Sequence, residues 1–166
     1  MNALNFWQIV SHFGDAQYWI GLAIVAICIY PVLSRQSRHR TAWIIFALLP
    51  AMLLSYEIVA VLKEVVALPR PCLGVIPCPS DYSFPSGHAA VAFAFALVTS
   101  CMMRKRWLSV LVFFLAVMIA LSRVALDYHF MYDAVAGAFI GLGIGFFFYW
   151  SYRPIHGYLE KKRLVP

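Results

Sequence analysis

Three short stretches of the chain carry the side chains that could do chemistry. Each stretch lies at the end of a long apolar run. In order, they are "KEVVALPRP" with Lys63 and Arg70, "FPSGH" with Ser86, Gly87 and His88, and "SRVALDYHFMYD" with Ser122, Arg123, His129 and Asp133. Together they hold cations, two histidines and a carboxylate, a combination that suits binding an anion and acting on it with histidine.

The stretch "FPSGH" has two interpretations. Pro85 suits a helix entry and Ser86 is a good N-cap, so the stretch predicts the start of a helix. Gly87 and His88 then lie in a first turn whose free N–H groups and dipole attract an anion. Plain capping would explain Pro85 and Ser86 but would leave His88 as a polar residue at a wet boundary.

His129 and Asp133 lie four residues apart, a spacing that places two side chains on one face of a helix. A carboxylate beside an imidazole fixes its tautomer and stabilises the imidazolium, as in the orienting half of a catalytic triad. Taken alone, the two residues could equally form a surface pair. Their occurrence with the cations favours a nucleophilic histidine.

The cations differ in how strongly they indicate a site. Lys63 lies at the end of an apolar run and could simply extend its amine to the surrounding water. Pro69 and Pro71, by contrast, hold Arg70 out of a helix. Arg70 and Arg123 can bind phosphate through two hydrogen bonds each. The sequence has no cluster of Cys and His at zinc-like spacing and no paired carboxylates. It therefore predicts phosphoryl chemistry without a metal, and no cofactor.

The elements that must position these residues are apolar helices. Of the 166 residues, 63% are hydrophobic and 12% are charged, about half the charged fraction of an ordinary soluble domain. We therefore expect one domain over residues 1–166, an all-α integral membrane protein. Spanning takes about 20 apolar residues, and the candidate spans are Ala16–Leu33, Thr41–Leu62, Ala89–Met103, Trp107–Leu121 and Ala134–Tyr152. Before these five spans, "NFWQIVSHFGD" is typical of an amphipathic helix lying in the interface.

The basic residues predict the orientation. Ten of the thirteen Lys and Arg residues lie in the two loops and the tail that five spans place on one side. The positive-inside rule makes that side, with the C-terminus, cytoplasmic. Lys63, Arg70 and Arg123 remain on the outer side, where an anion is the simplest reason for them. The net charge of +6 is not clustered as a groove, so we expect no nucleic-acid partner.

The three stretches match the signature K-x6-R-P, P-S-G-H and S-R-x5-H-x3-D in order and spacing. The chain thereby resembles the type-2 phosphatidic acid phosphatase superfamily of integral membrane lipid phosphatases. The resemblance implies that His129 attacks phosphorus and forms a phosphohistidine, that Asp133 orients it, and that His88 protonates the leaving oxygen. It also implies a set of groups that hold the phosphoryl oxygens: Lys63, Arg70, Ser86, Gly87, Ser122 and Arg123.

The length and span count resemble the short bacterial undecaprenyl pyrophosphate phosphatases of this superfamily. That resemblance implies a bacterial inner membrane, an active site facing the exterior or periplasm, and a polyprenyl diphosphate substrate. Those relatives often carry Gly two residues before the nucleophilic His and Pro two after it, where this chain has Asp127 and Met131. Asp127 adds negative charge that could tune headgroup preference.

Several alternatives stay open. Phosphatidylglycerol phosphate, phosphatidic acid and lipid A phosphate are other possible substrates. A phosphotransferase would pass the phosphoryl group to another lipid instead of water. A non-catalytic lipid-phosphate binding or transport protein would bind the same headgroup, but it would not need an oriented nucleophile such as His129 beside Asp133.

Two further patterns concern the scaffold. Cys72 and Cys78 flank "LGVIP" in the outer loop, where an oxidising exterior favours a disulfide over two free thiols. Gly137, Gly141 and Gly145 form one stripe of the last span, and small residues at this spacing permit close helix packing. We expect this stripe to pack inside the bundle and not at a dimer seam.

Overall fold

The computed structural model describes residues 3–15, 44–72, 78–103 and 105–163, and within these ranges it is helical, without strands. Helix α1 is Ala3–His12. A short π-helical segment, Ile44–Leu48, leads into α2, Leu49–Val66. Helices α3, α4 and α5 follow as Gly87–Met102, Arg106–Ala125 and Met131–Arg163. The predicted all-α class is therefore confirmed.

Four of the five predicted spans correspond to observed helices with shifted ends. Among the described residues, three helical segments are long and apolar enough to cross a membrane: Phe46–Val66, Arg106–Ala125 and Met131–Tyr152. Helix α3 is apolar but shorter. The first predicted span, Ala16–Leu33, lies outside the described residues, as do Arg35, Arg38 and Arg40 of the loop after it.

Helix α3 lies at the centre of the bundle, in contact with α2, α4 and α5. Its sequence makes this possible because its buried residues are mostly alanines, among them Ala89, Ala90 and Ala94. Small side chains let the backbones of neighbouring helices approach closely. The larger apolar side chains, such as Val65, Phe114 and Phe139, are exposed on the outside of the bundle, where a bilayer would surround them.

The glycine stripe of α5 packs against α3, as predicted for a stripe inside the bundle. A Cβ atom at Gly137 would collide with the carbonyl oxygen of Ser86, and one at Gly141 with that of Ala90. At Gly145 the nearest atom, the carbonyl oxygen of Ala94, is 3.2 Å away. The stripe thus brings the N-terminal end of α3 against the first turns of α5, where the predicted catalytic residues lie.

Candidate active site

The end of the bundle that carries the three stretches encloses a cavity of about 440 Å³. Five parts of the chain contribute to it: the segment after α1, the end of α2, the loop before α3, the start of α3, and the end of α4 with its connection to α5. Six of the predicted residues line the cavity, namely Lys63, Arg70, Gly87, His88, Arg123 and His129. Side chains that are 66 positions apart in the chain, such as Lys63 and His129, thus face one space.

His129 and Asp133 come together, although not on one helix face as their spacing suggested. Helix α5 begins at Met131, so His129 lies in the connection before it. The Phe130 N–H donates to Asp133 Oδ2 at 2.9 Å, which turns the chain back over the first turn of the helix. His129 Nδ1 then lies 3.4 Å from Asp133 Oδ2, a close contact without hydrogen-bond geometry. Both side chains are buried.

The other ring nitrogen of His129 faces the cations. Its Nε2 lies 3.2 Å from Arg70 Nη1. Burial lowers the His129 pKa well below its ordinary value, and the charges of Arg70, Arg123 and Lys63 lower it further. The imidazole is therefore neutral near pH 7, the form in which a ring nitrogen has a free lone pair.

Arg70 and Lys63 are both held by Asp81, a residue that the sequence analysis did not single out. Asp81 Oδ1 accepts from Arg70 Nη2 at 2.6 Å, and its Oδ2 pairs with Lys63 Nζ. Arg70 also donates to the Tyr128 carbonyl oxygen at 2.7 Å. Burial would raise the Asp81 pKa, but the hydrogen bonds from Lys63 and Arg70 lower it on balance. A charged carboxylate therefore fixes the direction of both cations.

The chain around Arg70 follows from its local sequence. Helix α2 ends at Val66, and Ala67 takes a left-handed conformation with φ of 50°. Its N–H donates to the Lys63 carbonyl oxygen at 2.9 Å and so closes the last turn of the helix. Arg70 then lies outside any helix, as its flanking prolines predicted. Cys72 and Cys78 form a disulfide in the following loop.

Ser86 is the N-cap of α3 by backbone position, but its side chain makes no capping hydrogen bond. The predicted N-cap position of Ser86 is therefore confirmed, but without the expected side-chain hydrogen bond. Its N–H instead donates to the Asp133 carbonyl oxygen at 3.0 Å, which joins the starts of α3 and α5. Its hydroxyl is fully buried and has no hydrogen-bond partner in the described parts of the chain.

Ser122 and Arg123 lie in the last turn of α4, and their side chains have different surroundings. The Ser122 hydroxyl donates to the Ile119 carbonyl oxygen at 2.6 Å, and Ser122 does not line the cavity. Arg123 does line it. Its guanidinium lies 4.6 Å from the centre of the Tyr128 ring, and its Nη1 donates to Ser11 Oγ. Its Nε has no partner within the described residues.

The N-terminal segment reaches the same cavity, which the sequence analysis missed. Asp15 Oδ1 is 2.9 Å from His88 Nε2, and Gly14 is among the lining residues. The pattern "GD" directly after an amphipathic helix was the available signal, but nothing in it points to a residue 73 positions away.

A protein-family model described as "PAP2 superfamily" matches residues 44–156. The match covers more than half of the chain and includes all three stretches. The chain therefore belongs to the PAP2 superfamily, the type-2 phosphatidic acid phosphatases that its signature resembles.

Curated relatives carry the names of lipid phosphatases. Lipid A 4'-phosphatase of Bacteroides thetaiotaomicron is 38% identical over 85 residues, which are 51% of this chain and 38% of that protein. Undecaprenyl-diphosphatase of Sulfolobus acidocaldarius is 29% identical over 82% of this chain and 65% of its own length. Decaprenylphosphoryl-5-phosphoribose phosphatase of Mycobacterium tuberculosis is 30% identical over 82% and 73%. The chain thus spans less than two thirds of the first two relatives.

Two solved structures share the fold. Aquifex aeolicus LpxE matches with a TM-score of 0.70 and 26% identity, over 87% of this chain and 84% of that one. The PAP2-type phosphatidylglycerolphosphate phosphatase from Bacillus subtilis matches with a TM-score of 0.74 over 98% and 79%, at 21% identity. At that identity the second likeness concerns the fold alone.

Proposed function

We propose that this chain hydrolyses a phosphate or diphosphate ester of a membrane lipid through a phosphohistidine at His129. The observation that carries the proposal is the arrangement of that ring. Nδ1 lies beside the Asp133 carboxylate, while Nε2 lies beside the Arg70 guanidinium, and the ring lines the cavity. A neutral imidazole beside a carboxylate, with its unprotonated Nε2 next to a cation that can also bind phosphoryl oxygens, suits attack on a phosphoryl group.

In the proposed reaction, His129 Nε2 attacks phosphorus and the bond from phosphorus to the leaving oxygen breaks. His88 gives that oxygen a proton. A water molecule then attacks phosphorus and passes a proton to His88, the bond from phosphorus to His129 Nε2 breaks, and inorganic phosphate leaves. No metal enters these steps, because Lys63, Arg70 and Arg123 supply the positive charge that stabilises the transferring group.

Unused donors in the structure support phosphate binding. The buried Ser86 hydroxyl and Arg123 Nε have no partner in the described part of the chain. A buried donor without a partner costs roughly 1–3 kcal/mol. A phosphoryl group bound at the start of α3 would supply acceptors for such donors and also meet the free N–H groups of its first turn.

A polyprenyl diphosphate is the substrate that we favour, with the headgroup approached from the exterior of a bacterial inner membrane. The relatives named for undecaprenyl diphosphate and for a decaprenylphosphoryl sugar phosphate support this choice. The relative named for lipid A favours a different lipid phosphate, so a panel of substrates has to decide.

The test is release of inorganic phosphate from a panel of lipid phosphates in detergent with excess EDTA. The panel contains undecaprenyl diphosphate, phosphatidylglycerol phosphate, phosphatidic acid and lipid A. We expect turnover of undecaprenyl diphosphate by the wild type and loss of turnover in His129→Ala and Asp133→Asn. Asp127→Asn is the matched control for the second variant, because Asp127 is an exposed carboxylate outside the cavity.

The intermediate has its own test. After brief incubation with substrate labelled in the phosphoryl group that is transferred, alkaline denaturation should leave label on the wild-type protein and none on His129→Ala. Activity that EDTA abolishes and a divalent ion restores would contradict the metal-free mechanism. Label that moves to an added lipid and not to water would indicate the phosphotransferase. Binding without any turnover would indicate the non-catalytic alternative.

A further inference from the structure

The segment that follows α1 reaches into the cavity and contacts the proposed general acid. Asp15 Oδ1 lies 2.9 Å from His88 Nε2, and Asp15 Oδ2 lies 2.9 Å from His12 Nδ1. Ser11 Oγ accepts from Arg123 Nη1. One N-terminal segment, Ser11–Asp15, therefore touches both a phosphate-binding cation and the second histidine of the site.

The segment is packed closely enough to hold its position. A Cβ atom at Gly14 would lie within 3 Å of both the His88 ring and Ile119 Cγ2, so only glycine allows this approach. Ser11 is buried. The chain after α1 is further closed by hydrogen bonds from the Gly14 and Asp15 N–H groups to the carbonyl oxygens of Ser11 and His12.

These contacts show which edge of the His88 ring faces the N-terminal segment. Gly14 packs against Cδ2, and Asp15 binds the neighbouring atom Nε2. Nδ1 and Cε1 form the opposite edge of an imidazole ring. The proton on Nε2 is shared with Asp15, so the proton that His88 can release is the one on Nδ1.

The charge of Asp15 fits this arrangement. Burial would raise its pKa, but the hydrogen bonds with His12 and His88 lower it on balance. Asp15 is therefore a carboxylate near pH 7. Burial and the charge of Arg123 lower the pKa of His88 to about 4, whereas the hydrogen bond and charge of Asp15 act to raise it. Asp15 therefore favours the imidazolium, and the negative charge of a bound phosphoryl group would favour it further.

We propose that Asp15 is a positioning residue that turns His88 for proton donation from Nδ1 and favours its doubly protonated form when a phosphoryl group is bound. This inference rests on the proposed function, because it assigns a partner to the general acid of that reaction. When the bond from phosphorus to the leaving oxygen breaks, that oxygen takes the Nδ1 proton. The ring becomes neutral and keeps its Nε2 proton on Asp15, so the charge balances. The site then has a carboxylate for each histidine: Asp133 for the nucleophile and Asp15 for the acid.

The test compares Asp15→Asn with the wild type on two substrates. One is the best lipid phosphate of the panel, whose leaving group needs a proton. The other is p-nitrophenyl phosphate, whose leaving group does not. A general acid raises the rate roughly 10²–10⁴-fold. A residue that orients the acid accounts for part of that factor. We expect kcat for the lipid to fall about 10- to 100-fold, KM to change little, and kcat for nitrophenyl phosphate to stay within about threefold.

Two further variants separate positioning from folding. Asp15→Glu keeps a carboxylate and should restore part of the lipid rate. Glu57→Gln removes an exposed carboxylate of α2 that does not line the cavity, and should leave both rates within about threefold. His88→Ala should show the same difference between the substrates as Asp15→Asn, and the double variant should be little slower than His88→Ala alone, because Asp15 acts through His88.

Equal losses on the two substrates would overturn the proposal, since Asp15 would then support the fold or phosphate binding. Faster turnover of both substrates would also overturn it, because Asp15 would then obstruct the site. A wild type that hydrolyses neither substrate would refute the proposed function itself and this inference with it. The wild-type reaction thus separates failure of the function from failure of the Asp15 assignment.

Discussion

Asp127 shows how one residue of the signature region meets a backbone requirement. It has φ of 54°, in the left-handed region, at the point where the chain leaves α4. Its N–H donates to the Val124 carbonyl oxygen at 3.0 Å, and the N–H groups of Tyr128 and His129 both donate to the Arg123 carbonyl oxygen. The turn before His129 therefore places a residue in the left-handed conformation, which glycine adopts most readily. Aspartate adopts this conformation more readily than most residues.

Replacing Asp127 should affect stability according to backbone preference. Asp127→Gly should keep the activity and raise the free energy of unfolding by up to about 1 kcal/mol, because glycine adopts positive φ at little cost. Asp127→Val should lower it by about 1–2 kcal/mol, since a β-branched residue is strained there. Thermal unfolding in detergent measures both. Equal stability of the glycine and valine variants would show that the turn relaxes.

The depressed pKa of His129 predicts a pH dependence of stability. The ring has a pKa below 6.5 when folded and about 6.5 when unfolded, so below that pH the unfolded chain binds more protons. Stability therefore falls as the pH drops from about 6.5 toward the folded pKa and does not change above 6.5 on account of this group. Thermal unfolding between pH 7.5 and 5 should show a steeper decline for the wild type than for His129→Gln. Parallel curves would contradict the shift.

At the scale of the elements, the contact between α3 and α5 sets the spacing of the two histidines. His88 lies in the first turn of α3 and His129 just before α5, and the Ser86 N–H to Asp133 carbonyl hydrogen bond joins the two starts. One turn further along, Gly141 allows the backbone of α5 to contact Ala90. The distance between His88 and His129 therefore depends on glycines within the helices as well as on the residues around the cavity.

Gly141→Ala should separate the two helices. A Cβ atom has no room beside the Ala90 carbonyl oxygen, so we expect a loss of about 1–3 kcal/mol of stability and reduced turnover. Gly143→Ala is the matched control, because nothing lies within 4 Å of a Cβ atom there. It should be neutral or stabilising by up to about 1 kcal/mol through helix propensity. Similar effects of the two variants would refute the packing argument.

At the scale of the whole molecule, the cations of the cavity lie at one end of the bundle, and large apolar side chains are exposed along its sides. Lys63 and Arg123 lie in the last turns of α2 and α4, and Arg70 lies in the loop after α2. Val65 and Phe139 are among the exposed apolar residues. This distribution suits a protein that takes a lipid headgroup at the surface of a membrane while the tail stays in the bilayer. The distribution of the basic residues predicts which surface that is.

Thiol labelling tests the proposed orientation. In a variant with Cys28 and Cys101 replaced by serine, Asp127→Cys should react with a membrane-impermeant maleimide in intact bacterial cells. Lys161→Cys, in the tail that we expect in the cytoplasm, should react only after the cells are opened. Labelling of Lys161→Cys in intact cells, without labelling of Asp127→Cys, would reverse the orientation.

The sequence by itself determined the class of the protein and the composition of its site. The composition predicts apolar helices, because a chain of this size can cover so much apolar surface only if a bilayer surrounds it. The types and spacings of the signature residues can be seen in one chain, and the roles that we propose for them rest on the family resemblance. Local signals also sufficed for Arg70, held out of a helix by its prolines, and for the glycine stripe of α5.

Tertiary structure alone decided which groups hold these residues. Asp81 orients Lys63 and Arg70 from a loop 18 and 11 positions away, and Asp15 reaches His88 over 73 positions. No periodicity encodes such pairs, because they arise when separate helices dock and each buried polar group requires a partner. The docking of α3 on α5 likewise decided the partner of the Ser86 N–H, which is the Asp133 carbonyl oxygen.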